Sequence, residues 1–331
     1  MIYLFLVTGL ILLLLSADVL LKGAGNVARR LDIPPVITGL TIVAFGTSAP
    51  ELVVSLQAAT VGMPGLALGN VIGSNIANIL LVLGLPALIY PTLCNTPGMR
   101  RNLLVMIATS VVLLFFCSVG VIGFWHGAFL VALLAAFLIY SGYYATTCPC
   151  EKEDQPGAQT RPASGTPFSW PKSLMLLLIG AAGLAYGASL VVDMGGQIAT
   201  SLNVSDGVIG LTLVALGTSL PELTTTLMAA FRRQPALAIG NAIGSNIFNI
   251  LGILGLTALV APLPIPENFV KFDLWVMLLA ALVMVPFIMT RTTLTRTVGA
   301  SFVMAYGAYL YLAVKADKAW AAGAATAGTL G

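Results

Sequence analysis

Two short stretches place oxygen-bearing residues at helical spacing inside strongly apolar runs. In AFGTSAPELVVS, residues Ala44, Thr47, Ser48 and Glu51 fall at i, i+3, i+4 and i+7, which is one face of a helix. ALGTSLPELTTT repeats that face with Ala215, Thr218, Ser219 and Glu222. Pro50 and Pro221 have no N–H, and their rings crowd the carbonyl four residues back, so each helix should loosen and expose main-chain oxygens. Ser74 with Asn78, and Ser245 with Asn249, sit at i, i+4 in neighbouring apolar runs. Gathered together, these residues offer carboxylates, hydroxyls, amides and carbonyls, without sulfur or imidazole. Such a set selects hard cations. Ca²⁺ takes about 6–8 oxygens in a flexible shell, whereas Mg²⁺ gives up its water reluctantly. Na⁺ accepts the same ligands, and two ionised glutamates would balance one Ca²⁺ or two Na⁺.

The elements that carry these residues must lie in a membrane. Of 331 residues, 58% are hydrophobic and 8% charged, against about 25% charged in a soluble domain. Ten stretches are long and apolar enough to span: 2–21, 36–60, 66–90, 102–120, 124–144, 172–193, 207–231, 236–261, 271–290 and 297–314. The first is read as a span rather than a removed signal, since no basic residue precedes it and no small-residue cleavage site follows. With both termini outside, 12 of the 15 Lys and Arg residues fall in inside connections, as the positive-inside rule requires. The expected fold is therefore an all-α membrane protein of ten transmembrane helices, with the lipid bilayer as its surroundings.

The chain also repeats itself. Shifted by 171 residues, 39–84 aligns with 210–255 without a gap, with 29 identities in 46 positions. GNVIGSNIANIL (69–80) meets GNAIGSNIFNIL (240–251), and Glu51 meets Glu222. Five spans per half put the second copy upside down. The expected division is a first five-helix repeat at 1–144, a flexible cytoplasmic linker at 145–171 rich in Pro, Gly, Ser and Thr, a second inverted repeat at 172–316, and a disordered tail at 317–331. Inverted-topology repeats are a transporter plan, with the site near the midplane where the halves meet.

Plainer roles compete with this reading. Hydroxyls in membrane helices often serve only the preceding turn or a neighbouring helix, and Gly with Pro can mark a packing kink. Against that, each mid-membrane acid costs about 2.5–3.5 kcal/mol on insertion scales, and here the whole oxygen face is duplicated. Asp18, near the inner end of the first span, reads as structural or interfacial, and Asp273, at the outer start of the ninth, as solvated. The four cysteines form no disulfide framework, and Cys148-Pro-Cys150 lacks further ligands nearby. The one histidine, His126, sits beside Trp125 as an interfacial anchor. Scattered basic residues leave no nucleic-acid face. No nucleophile–base pair suggests an enzyme, and no cofactor is implied.

Paired GTS-x-PE segments, each followed by G-N-x-I-G-S-N-I, resemble the calcium/cation antiporter superfamily, specifically its prokaryotic sodium/calcium exchangers. The resemblance implies two inverted five-helix repeats around four ion sites, with transported Ca²⁺ and Na⁺ bound as substrates. It makes Glu51 and Glu222 the carboxylate ligands. The carbonyls of Ala44, Thr47, Ala215 and Thr218, with Ser48, Ser74, Ser219 and Ser245, would complete the calcium and sodium sites, and Asn78 and Asn249 would line the middle one. It also implies that the first and sixth helices slide across the core. Some members, potassium-dependent ones among them, carry aspartate where this chain has Asn249, so a potassium-cotransporting reading is weakened. Exchange of Ca²⁺ for H⁺ through the glutamate pair is the nearest alternative, and a cation channel is the alternative from another class. The oligomeric state is not legible.

Overall fold

The computed structural model describes residues 2–96, 98–147, 168–201, 215–266 and 269–327. In chain order its helices are α1 (Ile2–Leu31), α2 (Pro35–Thr47), α3 (Ala49–Thr60), α4 (Pro64–Ile89), α5 (Met99–Ser118), α6 (Phe124–Thr147) and α7 (Trp170–Ser201). Then follow α8 (Ala215–Thr218), α9 (Leu220–Phe231), α10 (Pro235–Val260), α11 (Phe269–Met289) and α12 (Arg296–Ala327). Among the described residues seven helices are long and apolar enough to cross a membrane, and eight if the bent pair α2/α3 is one span. The expected span 207–231 begins outside the described residues, and only its part from Ala215 onward is seen. The greater part of the expected linker, 148–167, also lies outside them, as do Cys148 and Cys150. Helix α12 continues to Ala327 through most of the segment expected to be disordered, where its many alanines favour helix.

Helices α1 and α7 run antiparallel in close contact. Gly9 lies against Gly187, Leu20 against Gly180, and Gly23 against Leu177. A Cβ on Gly180 would come within 2.6 Å of the Leu20 main-chain nitrogen, so the approach of the two backbones requires glycine there. Leu13, Ala17, Leu20, Leu21, Ala24, Leu184 and Ala188 make this pair its own apolar cluster, closed by Val43 and Leu237 from neighbouring helices. Everything else packs as a larger body around α4 and α10, whose apolar windows are 78% and 83% buried against 22% for α7. Burial of that extent identifies α4 and α10 as the two central helices, and they carry the Ser and Asn residues of interest. Helix α10 meets the α2 region tightly: a Cβ on Gly244 would fall 2.5 Å from the Leu40 main chain.

The connections show matched geometry 171 residues apart. Two-residue ribbons β1 (Thr92–Leu93) and β4 (Thr293–Leu294) pair antiparallel, and so do β2 (Val121–Ile122) and β3 (Leu263–Pro264). Left-handed backbone occurs at Gly62 and at its counterpart Arg233, and again at Gly120 and its counterpart Arg291. Other contacts fasten the ends of helices. Asp18 pairs with Lys22 at 2.6 Å and with Arg232, so it is structural as its position suggested. The Arg30 Nε donates to the Phe168 carbonyl at 2.7 Å, and His126 Nδ1 accepts from the Gly123 N–H at 3.2 Å. Asp273 departs from expectation. It is buried, with Tyr309 Oη donating to it at 3.0 Å, because the π-type turn Phe269–Asp273 points it toward α12 rather than to solvent. Cys94 and Cys117 are free and buried, and burial pushes the Cys94 thiol up to about 12.

Candidate functional site

Ser48 breaks the expected second span. Its backbone (φ −85°, ψ 6°) interrupts the helix before Ala49, and α2 and α3 bend by 46°. Ser219 has nearly the same backbone, φ −85° and ψ 0°, between α8 and α9. The cause is local: a proline two residues further on removes a donor from the helix and sits comfortably in the first turn of the next one. Each break therefore ends one helix and starts another that bears a glutamate in its first turn, Glu51 in α3 and Glu222 in α9. The residues just before the break are also distorted. Gly39–Val43 is a π-type segment, as is Asn249–Leu254 within α10, and such segments gather at functional sites.

The breaks bring the two glutamates together. Both are fully buried. Ser48 donates to Glu222 Oε1 at 2.7 Å, a contact between residues from opposite halves of the sequence. Asn249 Nδ2 donates to Ser74 Oγ at 2.9 Å, and Ser74 Oγ in turn to the Val71 carbonyl at 3.1 Å. Around these contacts the acceptors are unused. Both Glu51 oxygens, Glu222 Oε2, Ser219 Oγ, Ser245 Oγ, Asn249 Oδ1 and both polar atoms of Asn78 are buried without a protein partner. One orphaned polar atom costs about 1–3 kcal/mol, and a cation is a group that would satisfy these oxygens. Among the described residues no cluster of three or more His, Cys, Asp or Glu exists. Hydroxyl, amide and carbonyl oxygens must therefore supply what two carboxylates leave open, which suits a hard cation.

Ala44, Thr47, Ala215 and Thr218 stand in the last turns before the two breaks. The Ala44 carbonyl accepts from the Ser48 N–H at 2.9 Å and from Thr47 Oγ1 at 3.2 Å. Ala215 is the first described residue of α8. Thr47 and Thr218 direct their hydroxyls to amides, Asn241 Oδ1 at 3.5 Å and Asn70 Oδ1 at 3.1 Å. Asn70 and Asn241 were not singled out by spacing, yet both are buried beside the glutamates. Their signal was present, since they occupy the same position in the two G-N-x-I-G-S-N-I runs.

The family model described as sodium/calcium exchanger protein matches residues 1–143 and 172–315. The chain belongs to the sodium/calcium exchanger family. Within it, the chain is 37% identical over 311 residues to CaxA, a proposed antiporter of Alkalimonas amylolytica, covering 93% of this chain and 97% of that one. It is 31% identical over 342 residues to the sodium/calcium exchanger MaX1 of Methanosarcina acetivorans, covering 93% and 97%. A solved structure of the sodium-calcium exchanger NCX_Mj, soaked with Na⁺ and Ca²⁺, superposes with a TM-score of 0.76 at 33% identity, covering 91% of this chain and 95% of that one. The protein is thus a helical integral membrane protein of a cation antiporter family, a family of transporters rather than enzymes.

Proposed function

We propose that this exchanger-family chain is a secondary active antiporter that moves Ca²⁺ against Na⁺ by alternating access at the buried oxygen site. The observation that carries the reading is the facing pair Glu51 and Glu222, supplied by opposite halves and surrounded by buried oxygens without partners. Glu51 and Glu222 provide the charge. Ser48, Ser74, Ser219, Ser245, Asn78, Asn249 and main-chain oxygens near the two breaks, at Ala44, Thr47, Ala215 and Thr218, provide the neutral ligands. With Asn249 in α10 the centre holds two carboxylates, and three Na⁺ against one Ca²⁺ would carry one net positive charge per cycle. That movement is worth about 2.3 kcal/mol per 100 mV.

The membrane arrangement we propose is ten spans in two inverted repeats, 1–144 and 172–316, with both termini outside a prokaryotic inner membrane. Contacts between connections support it. The 3–4 connection pairs with the 9–10 connection through β1 and β4, and the 4–5 connection with the 8–9 connection through β2 and β3. In this topology each pair shares one membrane face. So do Asp18, near the inner end of the expected first span, and Arg232 after α9.

Everted vesicles loaded with Na⁺ and diluted into Na⁺-free medium test the exchange. They should accumulate Ca²⁺ with a protonophore present, and collapse of the Na⁺ gradient should stop uptake. Uptake that the protonophore abolishes and Na⁺ leaves unchanged would assign Ca²⁺/H⁺ exchange instead. Flux that needs no counter-ion would assign a channel.

A further inference from the structure

Asn70 and Asn241 lie outside the proposed ligand set, and each ties three segments together. Asn70 on α4 donates through Nδ2 to the Glu51 main-chain carbonyl at 3.1 Å and to Ser55 Oγ at 2.9 Å. Its Oδ1 accepts from Thr218 Oγ1 at 3.1 Å, across the boundary between the halves. Asn241 on α10 repeats this arrangement. Its Nδ2 lies 3.5 Å from the Glu222 carbonyl, 3.2 Å from Thr225 Oγ1 and 3.1 Å from Thr226 Oγ1, and its Oδ1 accepts from Thr47 at 3.5 Å.

These bonds close a ring. Thr47 stands one residue before the Ser48 break that starts the Glu51 helix, and Thr218 stands one residue before the Ser219 break that starts the Glu222 helix. The Glu51 helix is thereby fastened through Asn70 to the start of the Glu222 helix, and the Glu222 helix through Asn241 to the start of the Glu51 helix. Satisfaction of stray hydroxyls alone would not need this pattern, since Thr47 also reaches its own Ala44 carbonyl. What the ring does determine is the separation of the two carboxylate-bearing turns.

Resting on the proposed exchange of Ca²⁺, we infer that Asn70 and Asn241 are positioning residues that fix the width of the oxygen cage, and so its discrimination among divalent cations by size. A Ca²⁺ shell places oxygens at roughly 2.3–2.6 Å, and Sr²⁺, the larger ion of the same charge, needs a wider one. A braced cage penalises the wider shell. A cage with a brace removed can spread to accept it. The Asn70 brace has the shorter bonds, so it contributes more than Asn241.

The test compares half-saturating Ca²⁺ and Sr²⁺ concentrations for Na⁺-driven uptake into vesicles, for wild type, Asn70→Leu, Thr218→Val, the double variant and Thr218→Ser. Thr218→Val keeps the main-chain carbonyl and removes only the hydroxyl, so it serves where Asn70→Leu inserts poorly. Each single variant should lower the preference for Ca²⁺ over Sr²⁺ about fivefold, the scale of one net hydrogen bond. The double variant should fall little further, because both changes break the same link, and Thr218→Ser should keep the wild-type ratio. A preference within about twofold of wild type in both single variants, with uptake falling only as far as protein amount falls, would overturn the inference alone. Wild-type vesicles without Na⁺-driven Ca²⁺ uptake would overturn the functional reading, and this one with it.

Discussion

Both oxygens of Glu51 are buried without a donor, whereas Glu222 accepts from Ser48. Two ionised carboxylates buried close together repel each other unless a cation stands between them. Neutralising either one removes half of the charge that would hold Ca²⁺. Glu51→Gln or Glu222→Gln should therefore weaken Ca²⁺ binding about 100-fold or more, the scale of breaking a buried ion pair. Protein inserted in the membrane should hold steady or rise, since each acid costs about 2.5–3.5 kcal/mol there. Initial uptake rates beside a quantified immunoblot measure both, and near-normal transport by both variants would place the site elsewhere. At this scale the sequence showed the glutamates clearly, because a charge in an apolar run is conspicuous and here occurs twice. Asn70 and Asn241 were harder to see. Their runs place polar residues all around the helix, and only a packed neighbour shows which of them turns toward the glutamates. Asp273 misled for a related reason, because its position at a span end says nothing of the Tyr309 hydroxyl that covers it.

Among the elements, proline and repeat spacing revealed where α2 gives way to α3, but not how much bending would follow. Hydropathy also stopped the first span near residue 21, while α1 continues to Leu31. Its last turns carry Lys22, Arg29 and Arg30 yet still bury Ala24, Val27 and Ala28, so polarity ended the apolar run without ending the helix. The turns hold a more quantitative lesson. Arg291 adopts φ 54° where its counterpart Gly120 has φ 92°. A residue with a Cβ pays about 1–2 kcal/mol for left-handed backbone, and glycine gives back part of that in unfolded-state entropy. Arg291→Gly should accordingly stabilise the protein by up to about 1 kcal/mol. Thermal unfolding in detergent would register this as a higher midpoint, and a lower midpoint would mean that the arginine makes a contact worth more than the strain.

Across the whole molecule, the α1–α7 pair centres one apolar cluster, completed by Val43, Ala229, Leu237 and Ala238, and the other helices centre a larger one. The ribbons join connections within the larger body and leave α1 and α7 untouched. If those two helices slide against the rest during exchange, a covalent tie across a ribbon should be harmless. Val121 and Pro264 are register partners. In a background with all four native cysteines replaced by alanine, a Val121→Cys/Pro264→Cys pair should cross-link on oxidation and keep more than about half of the Na⁺-driven uptake, since the tie joins parts already packed as one body. Loss of uptake on oxidation, restored by reductant, would show that the ribbons themselves move. This division into two bodies was not legible in the repeat, which pairs each helix with its copy and is silent about which pairs pack together.

The unpartnered oxygens around Glu51 and Glu222 bear on leakage as well as on binding. An antiporter slips whenever its unloaded form changes sides, because one ion then runs down its gradient without moving the other. Two ionised carboxylates held in a dry interior without a cation would make that unloaded crossing costly. Either cargo removes the penalty. Tight coupling would then need no separate gate, because the empty cage is its own barrier to returning unladen.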